Sequence, residues 1–457
     1  MADIKPFRAL RYDTNRVAPS DVVTQPYDKI SPAMQDKYYA ASPYNLVRII
    51  LGKSEPGDSD SGNVYTRAAD SFQSWRKEGV LRPEARESFY YYTQRFTVPG
   101  TAVGAAGPVE FERRGFIALG RIHDYTDGDV FRHEQTLAKP KSDRLNLLRA
   151  TRAHFGQIFM LYSDPAGDVD LLLENFTLAV SPGGTRQSEA DAAMAVEPDI
   201  ALTDEYGVLH RVWCISDPHV IKAVQDRMAG KKLIIADGHH RYETALNYRN
   251  ESRLAGQSAG KGANAPHEFV MMTFVNMDSK GLVILPTHRV VHGLANFDRE
   301  KFLESARKYF EVVPASGSCD QLANRLHEAG RHGTTLLANS GDACFLLHAR
   351  PGAADSILKD VPALQRQLDV VHLHKVLLEH VLGLSEESIR NQENISYHRD
   401  ASEALARVRE GANVAFLMNP VKMDQLREIT FAGGVLPQKS TDFYPKLLSG
   451  LTIYPLE

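Results

Sequence analysis

Leu233-Ile234-Ile235-Ala236-Asp237-Gly238-His239-His240-Arg241-Tyr242-Glu243-Thr244-Ala245-Leu246 is the stretch on which the reading turns. Lys232 to Ala236 is a short apolar run ending in Asp-Gly, the pattern of a buried strand closed by a turn. A helix over His239 to Arg249 is predicted to start at once. The first N–H groups of a helix lack intrahelical partners, and its dipole favours negative charge there. Gly238 allows a tight turn and close backbone approach to a ligand. His239 and His240 add imidazole donors, and Arg241 can grip a phosphate through two N–H groups. Asp237, at the strand end, is placed to hold Mg²⁺ or to accept a proton from an attacking hydroxyl. Glu243, one turn further on, is a weaker candidate. The plainer alternative is that Asp237 caps the helix while the histidines pack or face solvent.

Outward from that unit, the patterns predict a mixed α+β chain. Asn45 to Leu51 reads as a buried strand, and Asn63 to Gly79 as a helix with Asn63 as its cap. Ser88 to Val98 and Gly115 to Ile122 read as an antiparallel hairpin, joined by a long, mobile loop through Pro99 to Pro108. Val208 to Ile215 is a strand, and Asp217-Pro218 opens a helix to about Ala229. Ala255 to Asn264 is small and polar, a loop that serves either as a lid or as a tolerated insertion. In the second half, strands are expected at 267–276, 334–338, 343–348 and 414–418. Helices are expected at 298–310 and 370–381. A boundary near residue 290 divides the chain into expected domains of 1–290 and 291–457.

Bulk properties narrow the function. The 457 residues carry 53 basic and 57 acidic side chains, so no general excess of positive charge marks a nucleic-acid or anionic-membrane binder. Three scattered cysteines, Cys214, Cys319 and Cys344, make no disulfide framework. No signal-peptide pattern and no membrane-spanning run is present, so a cytoplasmic protein is expected. Zinc-ligand spacing is absent.

Two further clusters bear charge. Arg132-His133-Glu134-Gln135-Thr136-Leu137-Ala138-Lys139-Pro140-Lys141-Ser142-Asp143-Arg144 gathers basic groups just before a helix from Asp143. Pro140 is expected to keep them on a loop, where Arg132, Lys139, Lys141 and Arg144 could fold over phosphates and Glu134 could serve as base or metal ligand. A solvated charged loop is the alternative. Gly433 to Ser440 lacks the Gly-Lys and the following helix of a phosphate-cradling P-loop. Lys439, Ser440 and Thr441, with Lys446 behind them, could still bind an anion or form a surface turn. Asp28, in Pro26-Tyr27-Asp28, is a turn residue or a second catalytic carboxylate. His288-Arg289 could reach the site from a strand end or form a structural pair. His372 and His374 diverge on a helix and read as surface.

Asp237-Gly238-His239-His240-Arg241 resembles the Asp-Gly-His-x-Arg motif of free serine kinases in the ParB/sulfiredoxin-like superfamily. Ile4-Lys5-Pro6-Phe7, Arg132-His133-Glu134-Gln135-Thr136, Leu285-Pro286-Thr287-His288-Arg289 and Pro437-Gln438-Lys439-Ser440-Thr441-Asp442-Phe443-Tyr444 match, in order, the family catalogued as domain of unknown function 1015. The resemblance implies a ParB/sulfiredoxin-like core elaborated with antiparallel strands, followed by a second α/β domain that contributes the Lys-Ser-Thr loop. It also implies phosphoryl transfer from ATP or another nucleotide, with Mg²⁺, to a small hydroxyl substrate such as L-serine. A nucleotide-binding regulatory protein and a phosphoester hydrolase are the alternatives.

Overall fold

The computed structural model describes residues 2–98, 109–134, 139–177, 196–256 and 262–457, the side chains of 139–141 excepted. The Pro99–Pro108 loop and residues 257–261 of the Ala255–Asn264 loop lie outside the described residues.

Leu233–Asp237 is a strand with its four apolar residues buried, as its composition requires. It sits one place in from the edge of a large mixed sheet. Val130–Arg132 pairs parallel to it on the edge side and Ile158–Tyr162 antiparallel on the other. Beyond these come Phe269–Asn276, Glu110–Arg121, Phe89–Thr97, Leu209–Ile215 and Ile200–Thr203, with Ile4–Lys5 paired to Glu110–Arg121. The Phe89–Thr97 and Glu110–Arg121 strands form the expected antiparallel hairpin. Burial of both faces explains why Phe269–Asn276 is apolar apart from Thr273 and Asn276, with all eight residues buried.

Helices form where caps and periodicity predict them. Asn63 caps the helix Val64–Lys77 by accepting from the N–H groups of Tyr65 and Thr66, and that helix buries Ala68, Phe72 and Trp75. Asp217 caps Pro218–Met228. Gly238, in the left-handed conformation at φ 91°, precedes the helix His239–Leu254.

Three expectations are corrected. Asn45 to Leu51 is not a strand: its middle forms one helical turn, Val47–Ile50, with Val47, Ile49 and Ile50 buried. A short run buried on several sides carries no period to distinguish the two. Pro140 does not keep Lys139 and Lys141 on a loop. The helix Lys139–Thr151 starts there, with Pro140 in its first turn, where a missing N–H costs no bond. His374 is not a surface residue, because its helix, His372–Val381, is enclosed by the core and also buries Leu373, Val376, Leu377 and Leu378.

A second, wholly antiparallel sheet orders Phe310–Ala315, Ala343–Ala349, Thr335–Ser340, Val414–Met418, His288–Val291 and Ile395–His398. The chain then runs back. Asp442–Tyr444 pairs with Val283–Leu285, Ser449 bridges Thr24, Ile453 bridges Leu10, and Tyr454–Pro455 pairs with Ala153–His154. This return lays the stretch from Leu436 to Lys446 beside the motif strand. The Leu436 N–H donates to the His133 carbonyl at 2.7 Å.

Candidate functional site

Where the motif strand meets its helix, a cavity of about 660 Å³ opens. Asp237, Gly238, His239, His240 and Arg241 all line it, joined by Asp28, Glu134, Lys439, Thr441 and Lys446 from the sequence-predicted set. Asp28 lies on a 3₁₀ turn, Tyr27–Lys29, so it is both a turn residue and a wall of the cavity.

Asp237 is the electrostatic centre. Its Oδ1 accepts from the Gly238 N–H at 2.9 Å. Its Oδ2 lies 3.6 Å from Arg241 Nη2 and 3.7 Å from Lys446 Nζ, near both cations but outside direct hydrogen-bond reach. Burial alone would raise this carboxyl, but Lys446, Arg241 and Lys29 outweigh it and hold it far below the usual range. Asp237 is therefore a fixed anion and a weak base. Lys446 is shared with Asp442, at 3.0 Å, and Asp442 also accepts from Arg399 Nε at 2.5 Å. Against the opposing effect of burial, Lys446 and Arg399 bring Asp442 down to about 2.

Gly238 makes room for the arginine. The Arg241 guanidinium folds back under the turn and donates to the Gln157 carbonyl. A Cβ at position 238 would lie 2.9 Å from Arg241 Nε.

Two histidines here, the buried His133 and the half-buried His239, are neutral rather than cationic. His133 is fully buried, which pushes its imidazole down to about 4. Its Nδ1 is 2.6 Å from the Ile235 carbonyl, which can only accept, so Nδ1 carries the proton. Nε2 then accepts from the Thr441 hydroxyl at 2.7 Å, fixing the direction of that hydroxyl. The His239 ring meets His133 edge-on at 4.8 Å between centroids. Burial, and then its neighbour His133, hold His239 well below its ordinary value. Its buried Nε2 has no hydrogen-bond partner among the described residues, so it is left available to a ligand.

Glu134 takes the opposite course to Asp237. Burial raises its carboxyl, opposed by the hydrogen bond that its Oε1 accepts from the Lys439 N–H at 2.8 Å.

Other candidates lie elsewhere. Arg132 is exposed and stacks over Tyr125 at 5.1 Å. Arg144 lies 4.2 Å over the Tyr27 ring and donates to the Ile50 carbonyl at 2.6 Å, behind the turn that carries Asp28. Glu243 is buried in the helix and does not line the cavity. The His288 ring accepts from the Met418 N–H at 3.2 Å. Arg289 is 1% exposed and donates to the Lys439 carbonyl at 2.9 Å, holding the loop rather than facing the cavity. The Ser440 hydroxyl is turned onto the Pro437 carbonyl. The Lys139 and Lys141 side chains lie outside the described ones.

The sequence reading missed Lys29, Asp204, Arg399 and Asp442. These bring the lining charges to five acidic residues (Asp28, Glu134, Asp204, Asp237, Asp442) and five basic ones (Lys29, Arg241, Arg399, Lys439, Lys446). Such a balanced cavity is no indiscriminate anion trap. It suits a polyanion that arrives with a counter-cation. Among the described residues no group of three or more His, Cys, Asp or Glu is placed to hold a metal ion. Mg²⁺ bound with a nucleotide ordinarily needs only one or two carboxylates plus phosphate oxygens, and Asp237 Oδ2 fits that role.

Comparisons with known proteins place the chain in a family. The chain belongs to the family described as protein of unknown function (DUF1015), whose model matches residues 4–371. No curated protein matches it. Among solved structures it is similar to a free serine kinase in complex with AMP, at 13% identity and a TM-score of 0.33, covering 69% of this chain and 83% of that one. It is also similar to SbnI with a C-terminal truncation from Staphylococcus aureus, at 10% identity and a TM-score of 0.35, covering 74% and 87%. A conserved hypothetical protein from Pyrococcus furiosus matches at 13% identity and a TM-score of 0.31, covering 69% and 87%. Among the described residues no helix is long and apolar enough to cross a membrane.

Proposed function

We propose that this cavity binds a nucleoside triphosphate, ATP first, together with Mg²⁺, and transfers the terminal phosphoryl group to the hydroxyl of a small molecule, L-serine first. The observation that carries the reading is the convergence of Lys446, Arg241 and a helix N-terminus on the ionised carboxylate of Asp237. The motif's resemblance to free serine kinases supports the choice of acceptor.

Asp237 would hold the metal ion, which supplies charge neutralisation on the phosphates. The N–H groups of the helix's first turn, Lys446 and Arg241 bind phosphoryl oxygens, and His239 offers a neutral hydrogen bond. Asp237 binds protons too weakly to be the base. Glu134, whose burial strengthens its hold on a proton, takes that role. The acceptor's O–H proton passes to Glu134, its oxygen bonds to the terminal phosphorus, and the bond from that phosphorus to the departing nucleoside diphosphate breaks. Positioning and electrostatics suffice for this chemistry, so no nucleophilic side chain is needed.

One observation favours nucleotide binding without transfer: an oxygen of Glu134 is already engaged by the Lys439 N–H. Incubating the purified chain with ATP, Mg²⁺ and L-serine, with products read by mass spectrometry, separates the cases. O-phosphoserine that disappears in Asp237→Asn is expected. Free phosphate without serine would make it a hydrolase. Bound nucleotide without turnover would make it a regulatory binder. No product with ATP, ADP or CTP as donor would remove the kinase reading.

A further inference from the structure

A second cavity, of about 510 Å³, lies against the antiparallel sheet. Its size is within the usual range for small-molecule sites. Its charge differs from that of the motif cavity. Five cationic side chains line it, Arg289, Arg331, Arg350, Arg366 and Lys422, against two acidic ones, Asp355 and Asp369. Arg331, Arg350 and Lys422 are exposed and solvated while Arg289 is 1% exposed, so the excess of three positive charges makes the concavity attractive to an anion and only the buried guanidinium is costly to leave unmatched.

Carboxylates of the protein do little to neutralise that excess. The Arg366 guanidinium donates to the carbonyls of Val361, at 2.7 Å, and Lys359, at 2.8 Å. Arg289 donates to the carbonyls of Thr287, Gln438 and Lys439. Carbonyls satisfy donors without cancelling their charge. Among the described residues Arg331 is the one of the five in an ion pair, with Glu328 at 3.3 Å on the surface, and Lys422 acts on the lining Asp369 from further away. Arg350 and Lys422 make no ion pair among the described residues.

Two buried nitrogens of the lining also lack partners among the described residues. They are Nε of Arg289, which is 1% exposed, and Nδ1 of His372. The His372 Nε2 is 2.9 Å from the Arg366 carbonyl, so it carries the proton and leaves Nδ1 as an acceptor in the neutral ring. A ligand with both anionic oxygens and a hydroxyl would satisfy both atoms. Thr287 lines both cavities, and Arg289 grips the loop that carries Lys439, so the two share a wall.

The geometry points to a second binding site, independent of the motif cavity, for a small phosphate-bearing anion seated among Arg289, Arg350, Arg366 and Lys422. Hydrogen–deuterium exchange of the full chain with and without inorganic pyrophosphate, paired with calorimetry, tests it. Protection is expected across residues 330–334, 349–355 and 418–422. In Arg350→Glu/Lys422→Glu, which alters rim residues, that protection should vanish and affinity should fall at least about tenfold. Asp237→Asn should keep both. Lys422→Ala, a milder change, should weaken binding in the same direction should the double variant fail to fold. Protection confined to residues 237–241 and 439–446, or affinity unchanged by both rim variants, would overturn the assignment. Citrate binding to these residues with pyrophosphate excluded would overturn the choice of phosphate.

Discussion

Replacing Gly238 by alanine separates the fold from the phosphate grip. Gly238 sits at φ 91° and ψ 27°, where a residue with a Cβ costs about 1–2 kcal/mol. The added Cβ would stand 2.9 Å from Arg241 Nε and 3.0 Å from its Cζ and Nη2. The guanidinium is the free end of a flexible side chain, so it swings aside before the backbone does. The stability cost therefore stays near the backbone term, a fraction of the roughly 5–15 kcal/mol that holds a native domain. Binding suffers more. A hydrogen bond to a charged group contributes about 1.5–3 kcal/mol, so displacing Arg241 should weaken Mg²⁺–ATP binding about 10- to 150-fold. Urea unfolding measures the first quantity and calorimetry the second. A variant that binds as tightly as the wild type would show that Arg241 does not hold the phosphates. A loss of stability beyond about 4 kcal/mol would show that Arg241 does not yield as its geometry indicates.

Four other perturbations have defined outcomes. Lys446→Met removes the strongest cation acting on Asp237, so the Asp237 carboxyl should move up towards its ordinary range and ATP affinity should fall at least about tenfold by calorimetry. Glu134→Gln keeps an acceptor for the Lys439 N–H, so KM should hold while kcat falls about a hundredfold or more in the phosphoserine assay. Asp442→Asn leaves Lys446 and Arg399 without their shared buried partner and should cost roughly 3 kcal/mol in urea unfolding. The fourth concerns pH. Burial holds His133 and His288 at about 4 and His374 at about 3, below the unfolded value of about 6.5. The unfolded chain thus binds more protons between these values, and the stability from each neutral ring is complete above about pH 6.5 and lost as pH falls towards 4. Each should cost on the order of 2 kcal/mol at pH 5. Urea midpoints that do not change between pH 7 and pH 5 would contradict this.

The parts of this site legible in sequence were those whose chemistry is local. An apolar run, an Asp-Gly turn and a polar first helical turn occupy nine consecutive residues, Leu233 to Arg241, and the structure builds strand, turn and helix from them. Asn63 and Asp217 were likewise readable as caps, because each acts on a backbone N–H two or three residues away. Lys29, Arg399 and Asp442 were not. Each is an ordinary charged residue in its own neighbourhood, and Asp442 meets Arg399 across 43 positions only after the chain has returned from the second sheet. His133 was passed over beside more conspicuous neighbours, since nothing in Arg132-His133-Glu134 tells which side chain turns inward. Arg289 stood in a matching motif, yet its work is to hold a loop, a role that burial reveals and spacing does not.

A crystal structure of the full chain with Mg²⁺ and a non-hydrolysable ATP analogue tests the central claim most directly. The account predicts phosphate oxygens within hydrogen-bond distance of the N–H groups opening the helix at His239, with Lys446 and Arg241 alongside and Asp237 on the metal ion. Phosphates bound away from residues 237–241, with this cavity filled only by water at saturating nucleotide, would contradict it.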